Sequence, residues 1–339
     1  MHADRRSFLQ SAGSAVAIGT AALLGARPAE AQGRGGPQAP PSFPNIPNPI
    51  EGDVEVVAKD YIWTEGPLWV GGADGYLLFS DVPGNAIYGW DGKRTTPFLA
   101  PSGYQNFPIP SSLREPGSNG LALGRGGLLL ADSGTRAIVR VDMTTRQKTI
   151  LADKFEGKRF NSPNDLVLAR NGDIYFTDPP YGLTGVQQSP IRELTYTGVF
   201  RLTPDNQVHL ISDKLFPNGI ALSPDNRTLY TTDTSGWVAF DLNSSGMPTG
   251  QRQFVASASV GGARGDGMKV DAAGNLWTSG RGGIYVFSPK GEHIGFGPIP
   301  GTVSNCAFGP GRYLYVSNNT QVVRVKLRAD FPGGTAIQY

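Results

Sequence analysis

A six-fold internal repeat constrains this 339-residue chain more than any other feature. Each unit opens on a side chain that carries an oxygen and continues into an apolar run. A second apolar run follows and closes on Asp, Ser or Asn. The units begin at Glu65, Asn119, Asn164, Asn218, Asp266 and Asn305. Their second runs include Tyr76-Leu77-Leu78-Phe79-Ser80-Asp81, Leu128-Leu129-Leu130-Ala131-Asp132 and Ile174-Tyr175-Phe176-Thr177-Asp178. The starts lie 54, 45, 54, 48 and 39 positions apart. Their mean of about 48 falls in the range of propeller blades, whereas the repeats of a parallel β-helix are much shorter.

Within the units apolar and polar side chains alternate, the period of a strand. Turn signals separate the first two strands at Ala73-Asp74-Gly75, Asn171-Gly172, Pro224-Asp225-Asn226 and Ala273-Gly274-Asn275. Third strands are expected at Ala137–Val141 and Gly283–Phe287, and outer fourth strands at Lys148–Leu151 and Gln207–Ile211. The 46 Gly and 27 Pro are accounted for by dense turns between short strands. The fold class expected is all-β: a six-bladed β-propeller with four-stranded antiparallel blades around a central channel. The last unit lacks an outer strand, and Asp53–Val57 stands unpaired before the first. That segment is expected to close the ring against the sixth blade.

The N-terminus reads as an address rather than as fold. Arg5-Arg6-Ser7-Phe8-Leu9 resembles a twin-arginine export signal, Ser11 to Gly25 is small and apolar, and Ala29-Glu30-Ala31 has the small-x-small pattern of a cleavage site. The apolar run is too short to span a bilayer stably. Three parts are expected: a signal peptide over 1–31, a disordered Pro/Gly-rich lead over 32–52, and a single propeller domain over 53–339. A periplasmic or secreted location follows. Lys plus Arg total 30 against 28 Asp plus Glu, which argues against nucleic acid or anionic lipid as the main partner. One cysteine, Cys306, excludes an internal disulfide and a thiolate zinc cage. His209 and His293 share no ligand motif and read as structural.

In a propeller the innermost strands run along the channel, so the six opening residues face one axial level. All six carry an oxygen acceptor and two are carboxylates. A bend-forming role for Asn-Gly and Asp-Gly is the plainer account, but it explains Glu65-Gly66 poorly. Convergent oxygens without His or Cys suit a hard divalent cation. Calcium, with about 6–8 flexible oxygen ligands including neutral amides, is favoured; magnesium, zinc and manganese stay open. No G-x-S-x-G elbow or HExxH motif is present.

Glu65-Gly66-Pro67-Leu68-Trp69, Ser162-Pro163-Asn164-Asp165-Leu166, Phe176-Thr177-Asp178-Pro179-Pro180-Tyr181-Gly182, Phe216-Pro217-Asn218-Gly219, Gly265-Asp266-Gly267-Met268 and Asn305-Cys306-Ala307-Phe308-Gly309 form an ordered set. Together they resemble the gluconolactonase family of six-bladed propellers. That family includes regucalcin and, more distantly, the calcium-dependent diisopropylfluorophosphatase. The resemblance covers about Val54 to Val325. It implies a metal held by Glu65, Asn164, Asn218 and Asp266, and a small-molecule lactone as substrate. Asn119, Asn164 and Asn305 are expected to touch substrate or a metal-bound water. Tyr181, Arg264 and Arg281 are further candidate contacts at the rim. The reaction expected is metal-dependent lactone hydrolysis, with Asp266 assisting water attack. Alternatives are organophosphate hydrolysis on the same site, a non-catalytic sugar- or protein-binding propeller, and a quinone-dependent dehydrogenase, which lacks the channel-mouth His it would need. The insertions Pro101–Pro116 and Leu183–Thr197 are expected to wall the pocket. A monomer or weak dimer is expected, since a closed ring leaves only short, protected edges.

Overall fold

The computed structural model describes residues 40–336; the export signal expected over 1–31 lies outside them. The middle strands of the repeats are apolar on both sides. Gly127–Asp132 is buried at every position, whereas the outer strand Lys148–Ala152 exposes Thr149 and Ile150. A strand covered on both faces reads as a continuous apolar run, and its alternate side chains serve different cores. Leu77 and Phe79 join Trp90, Tyr315 and Val322. Leu78, between them, joins Ile87, Leu128 and Leu130 on the opposite face. The core is therefore a circle of apolar layers, each squeezed between neighbouring sheets.

The chain forms an all-β propeller with four-stranded antiparallel blades. The first sheet comprises Thr64–Val70, Tyr76–Asp81, Ala86–Trp90 and Thr95–Leu99; the second, Ser118–Gly124, Gly127–Asp132, Ala137–Val141 and Lys148–Ala152. The third comprises Leu166–Leu168, Ile174–Asp178, Gly198–Leu202 and Val208–Ser212; the fourth, Ile220–Leu222, Thr228–Asp233, Gly236–Leu242 and Pro248–Ala256. The expectation of six separate blades is corrected here: the remaining strands form one six-stranded sheet, so there are five sheets in all, besides a short hairpin at Lys154–Arg159. The cause is local. His293–Phe308 is a single 16-residue strand. Its first part pairs with Leu276–Phe287 and its second with Tyr313–Asn318, which joins the last two repeats. The strand that opens each sheet touches the next, and His293–Phe308 touches Thr64–Val70, so the inner strands form a closed cycle.

Closure uses the N-terminal segment. Ile50–Lys59 pairs antiparallel with Gln321–Leu327, so the closing strand expected at Asp53–Val57 is present and longer. The described part of the segment expected as a disordered lead is instead docked. The Phe43 ring meets those of His293 at 4.9 Å and Phe296 at 5.0 Å, and the Phe296 N–H donates to the Pro47 carbonyl at 2.9 Å. Phe43 and Ile46 give this proline-rich stretch apolar anchors against the fifth sheet.

A belt of hydroxyls ties the repeats around the channel. The Ser80 hydroxyl donates to the Asn119 carbonyl at 2.9 Å, Ser133 to Pro163 at 2.8 Å and Thr177 to Asn218 at 2.6 Å. Thr232 reaches the Asp266 carbonyl at 3.5 Å, Ser279 donates to Ser304 at 2.7 Å, and Ser304 to Thr64 at 2.9 Å. Each bond holds the backbone at or next to the opening residue of the following repeat.

Beneath this belt the repeats approach too closely for side chains. A Cβ on Gly66, Gly120, Gly219 or Gly267 would come within 3.0 Å of Asn119, Asp165, Asp266 or Asn305 respectively. The Gly after the opening residue is thus a spacer between repeats, and only Gly66 has a positive φ, of 51°. The bend-forming account of the Asn-Gly pairs does not hold at Gly120 and Gly219. Gly219→Ala is expected to destabilise the fold by about 1–3 kcal/mol or more through forced overpacking. Gly250→Ala, whose Cβ would meet nothing nearer than 3.8 Å, is expected to stay within about 0.5 kcal/mol. Denaturant midpoints of the two variants check this, and equal midpoints would contradict the spacer role.

Candidate active site

The channel has two unlike mouths. At the end where the inner strands begin, a cavity of about 560 Å³ is lined by Glu65, Asn119, Asn164, Asn218 and Asp266. At the other end a cavity of about 840 Å³ is lined mainly by apolar residues such as Leu121, Leu166, Ile220 and Leu222. Oxygen side chains from five repeats thus share the first mouth. Glu65, Asn119 and Asn164 are buried, while Asn218 and Asp266 are half-buried. One Glu65 carboxylate oxygen accepts the Trp63 indole N–H at 3.4 Å and the other accepts the Gly66 N–H at 3.3 Å.

The sixth opening residue departs from this pattern. Asn305 does not line the cavity. Its side-chain oxygen accepts the Cys306 N–H at 2.8 Å and faces the Lys269 ammonium at 3.3 Å. The cause lies in the third repeat, where Asp165 takes the place of the spacer Gly. Burial raises the Asp165 carboxyl above the ordinary range, while the Lys269 charge and the N–H of Leu166 act against that rise. Asn305, Lys269 and Asp165 form a polar plug inside the channel, and Asn305 is spent on it.

The loops that lead into the ring are held by a second recurring carboxylate, the Asp that closes the second strand. Asp81 accepts the Trp63 N–H at 3.1 Å, Asp178 the Ser162 N–H at 2.9 Å, and Asp233 the Phe216 N–H at 2.8 Å. Each donor lies two residues before an opening residue, so in three repeats an Asp aims one site side chain. Asp178 also accepts the Asn161 N–H at 2.7 Å.

Tyr181, Arg264 and Arg281 all line the cavity, as expected at the rim. The Tyr181 ring stands edge-on to Phe216 at 5.3 Å. The two insertions meet as one wall. The N–H groups of Arg114 and Glu115 donate to the Gly182 carbonyl at 2.9 and 3.1 Å, and the Thr184 N–H donates to Ser112 at 2.9 Å. This brings in residues not singled out from sequence. Glu115, buried, pairs with Arg114 at 2.9 Å, and Trp63, Phe216, Thr232 and Asp233 complete the lining. Phe216 stands two residues before Asn218, so its position beside a repeat start was a usable signal; the signal for Glu115 was its place in the Pro101–Pro116 insertion. No histidine lines the cavity. Burial lowers the His293 pKa, and His293 sits among Phe43, Tyr285 and Phe287.

The donor set fits a hard cation by its chemistry, with two carboxylates and neutral amides and neither sulfur nor imidazole. Among the described residues no three His, Cys, Asp or Glu gather at one point, and the amide oxygens of Asn119, Asn164 and Asn218 stand beside the two carboxylates in the lining.

Burial pushes the Asp178 carboxyl from 3.8 up to about 7. Folding therefore favours its protonated form. The stability this contributes is complete below the unfolded value of 3.8 and is lost as pH rises through about 7. Asp178→Asn, which keeps the neutral form, is expected to flatten the slope of melting temperature between about pH 5 and pH 8. An unchanged slope would mean that Asp178 ionises normally.

Comparison with known proteins accords with this geometry. The family described as SMP-30/Gluconolactonase/LRE-like region matches residues 63–320. A gluconolactonase of Zymomonas mobilis is 47% identical over 292 residues, covering 81% of this chain and 81% of that protein. The structure of XC5397 from Xanthomonas campestris, described as a gluconolactonase, superposes with a TM-score of 0.70 at 32% identity, over 85% of this chain and 98% of that one. A regucalcin of Agrobacterium tumefaciens, at 19% identity and a TM-score of 0.65 over 87% of this chain and 99% of that one, shares the fold. The chain belongs to the SMP-30/gluconolactonase family.

Proposed function

We propose that this protein is a divalent-metal-dependent lactonase acting on a sugar lactone or a related lactone. The observation that carries the reading is the convergence of Glu65, Asn164, Asn218 and Asp266, from four repeats, on one cavity. The relatives named gluconolactonase support the reaction class. We also read the six-stranded sheet as two blades sharing a strand, which gives a ring of six around the channel.

Glu65, Asn164, Asn218 and Asp266 would hold the cation, calcium being favoured by the amide ligands. When bound, such an ion polarises the lactone carbonyl and stabilises the oxyanion that develops on attack. The chain's own groups do the rest. A carboxylate oxygen of Asp266 takes a proton from the attacking water as its oxygen bonds to the carbonyl carbon. The same proton passes to the ring oxygen as the ring C–O bond breaks, leaving a hydroxy acid. Asn119 and Asn164 supply amide hydrogen bonds that orient the sugar hydroxyls. Tyr181 and Phe216 cover an apolar face of the ring, and the joined insertions limit the entry of water. A lactone is an activated ester, so a weak base suffices.

Acid release from glucono-1,5-lactone, followed with a pH indicator, tests the reading. Asp266→Asn is expected to lower kcat by about 100-fold or more. Glu65→Gln is expected to weaken calcium binding roughly tenfold, read by calorimetry, because it removes one of two ligand charges. Chelated protein should be inactive and recover with calcium. Full activity in chelator, or in Asp266→Asn, would overturn the mechanism.

We further propose that the protein is exported to the periplasm or beyond, on the Arg5-Arg6 signature, and works as a monomer or weak dimer. Replacing Arg5 and Arg6 together by Lys should retain the chain in the cytoplasmic fraction. Export unaffected by that change would refute the twin-arginine route. Among the described residues no helix is long and apolar enough to cross a membrane.

A further inference from the structure

Two arginines stand in the cavity wall. Among the described residues, neither the Arg264 nor the Arg281 guanidinium makes a hydrogen bond or lies within 4.0 Å of a carboxylate oxygen. Both side chains are exposed to the cavity mouth. Their backbones, in contrast, are pinned. The Ser257 hydroxyl donates to the Ala263 carbonyl at 2.6 Å, beside Arg264. The Tyr285 hydroxyl donates to the Arg281 carbonyl at 3.0 Å, and Arg281 is paired in the ladder with Thr302. The two segments are neighbours, since a Cβ on Gly280 would lie 3.3 Å from the Arg264 carbonyl oxygen. Main chain thus holds the two arginines on adjacent segments of one cavity wall.

The acids of the cavity do not balance them. Glu115 is paired with Arg114 at 2.9 Å. Asp233 accepts the Phe216 N–H at 2.8 Å and the Ser235 hydroxyl at 3.0 Å, which turns it to the loop it supports. Glu65 and Asp266 belong to the cation site proposed above. With a divalent cation balancing Glu65 and Asp266, the two arginines face one remaining carboxylate, Asp233, so this part of the wall stays net positive. The cavity, at about 560 Å³, has room beyond a bare lactone ring.

We propose that Arg264 and Arg281 form a subsite for an oxyanion, so that the preferred substrate is a lactone carrying a phosphate or carboxylate on the side of the ring away from its carbonyl. A planar guanidinium binds either group through paired N–H donors. This rests on the lactonase reading and names the substrate class of that same site.

The test compares glucono-1,5-lactone with its 6-phosphate and with a lactone of glucaric acid. Binding of gluconate, 6-phosphogluconate and glucarate to chelated protein is followed in parallel by calorimetry. An oxyanion-bearing lactone is expected to show kcat/KM about tenfold above the neutral one at low ionic strength, with the ratio shrinking in about 0.5 M salt. Arg264→Ala and Arg281→Ala are each expected to pull that ratio toward one, and Arg281→Lys to keep part of it. Glucarate and 6-phosphogluconate, each with a second anionic group, should bind more tightly than gluconate. The phosphate and carboxylate arms show which oxyanion the subsite prefers. Hydrolysis of the neutral lactone as fast as either anionic one would overturn the subsite and leave the lactonase reading standing. Hydrolysis of none of the three would overturn the lactonase reading, and calorimetry alone would then decide the subsite. Equal affinity for gluconate, glucarate and 6-phosphogluconate would refute it.

Discussion

The hydroxyl belt around the channel is the constraint on which the rest of this structure depends. Six hydroxyl contacts, from Ser80, Ser133, Thr177, Thr232, Ser279 and Ser304, link each repeat to the backbone of the next. They occupy the narrowest part of the molecule, where main chains meet with only hydrogen at Cα between them. Buried carbonyl groups there must find donors, and the sheet ladders do not supply them all. A Ser or Thr hydroxyl one strand back satisfies the carbonyl and sets the spacing at the same time. Apolar layers farther out supply most of the burial, but they do not fix where the opening residues stand.

The site inherits its geometry from this arrangement. Each opening residue is held from below by a neighbour's hydroxyl and, in three repeats, from the side by the Asp that ends the second strand. Precise aim of several oxygen side chains at one cavity needs such support, because amide and carboxylate side chains rotate freely when unsupported. The insertions add to this frame. Ser111 to Glu115 and Gly182 to Thr184 zip together across two repeats and bring Arg114 and Glu115 to a cavity whose floor comes from the repeats alone.

Much of this was legible in the residues. The six repeat starts, the strands around them, the closing role of the segment before the first repeat, and five of the six oxygen side chains follow from periodicity and spacing. That works because a propeller repeats one packing problem and its solution recurs in the chain. The Asp at the second strand's end was visible as a repeat mark, but its task of binding the loop two residues before Glu65, Asn164 and Asn218 was not. The merging of the last two repeats was hidden as well. Nothing in the local pattern of His293 to Phe308 announces that one strand will change partners midway.

Asn305 marks the boundary between the two kinds of information. By position it matches Asn119, Asn164 and Asn218, and its sequence context promises a place in the cavity. A neighbour 140 residues away, Asp165, replaces a spacer Gly and brings a charge into the channel, where Lys269 and Asn305 answer it. The sequence by itself determined the repeat, the ring and the chemical type of the site, since those depend on local periodicity and residue identity. Tertiary structure alone decided which matching side chains reach the cavity and which arginines stand in its wall. Those outcomes turn on contacts between repeats, where desolvation and close approach are set by residues far apart in the chain.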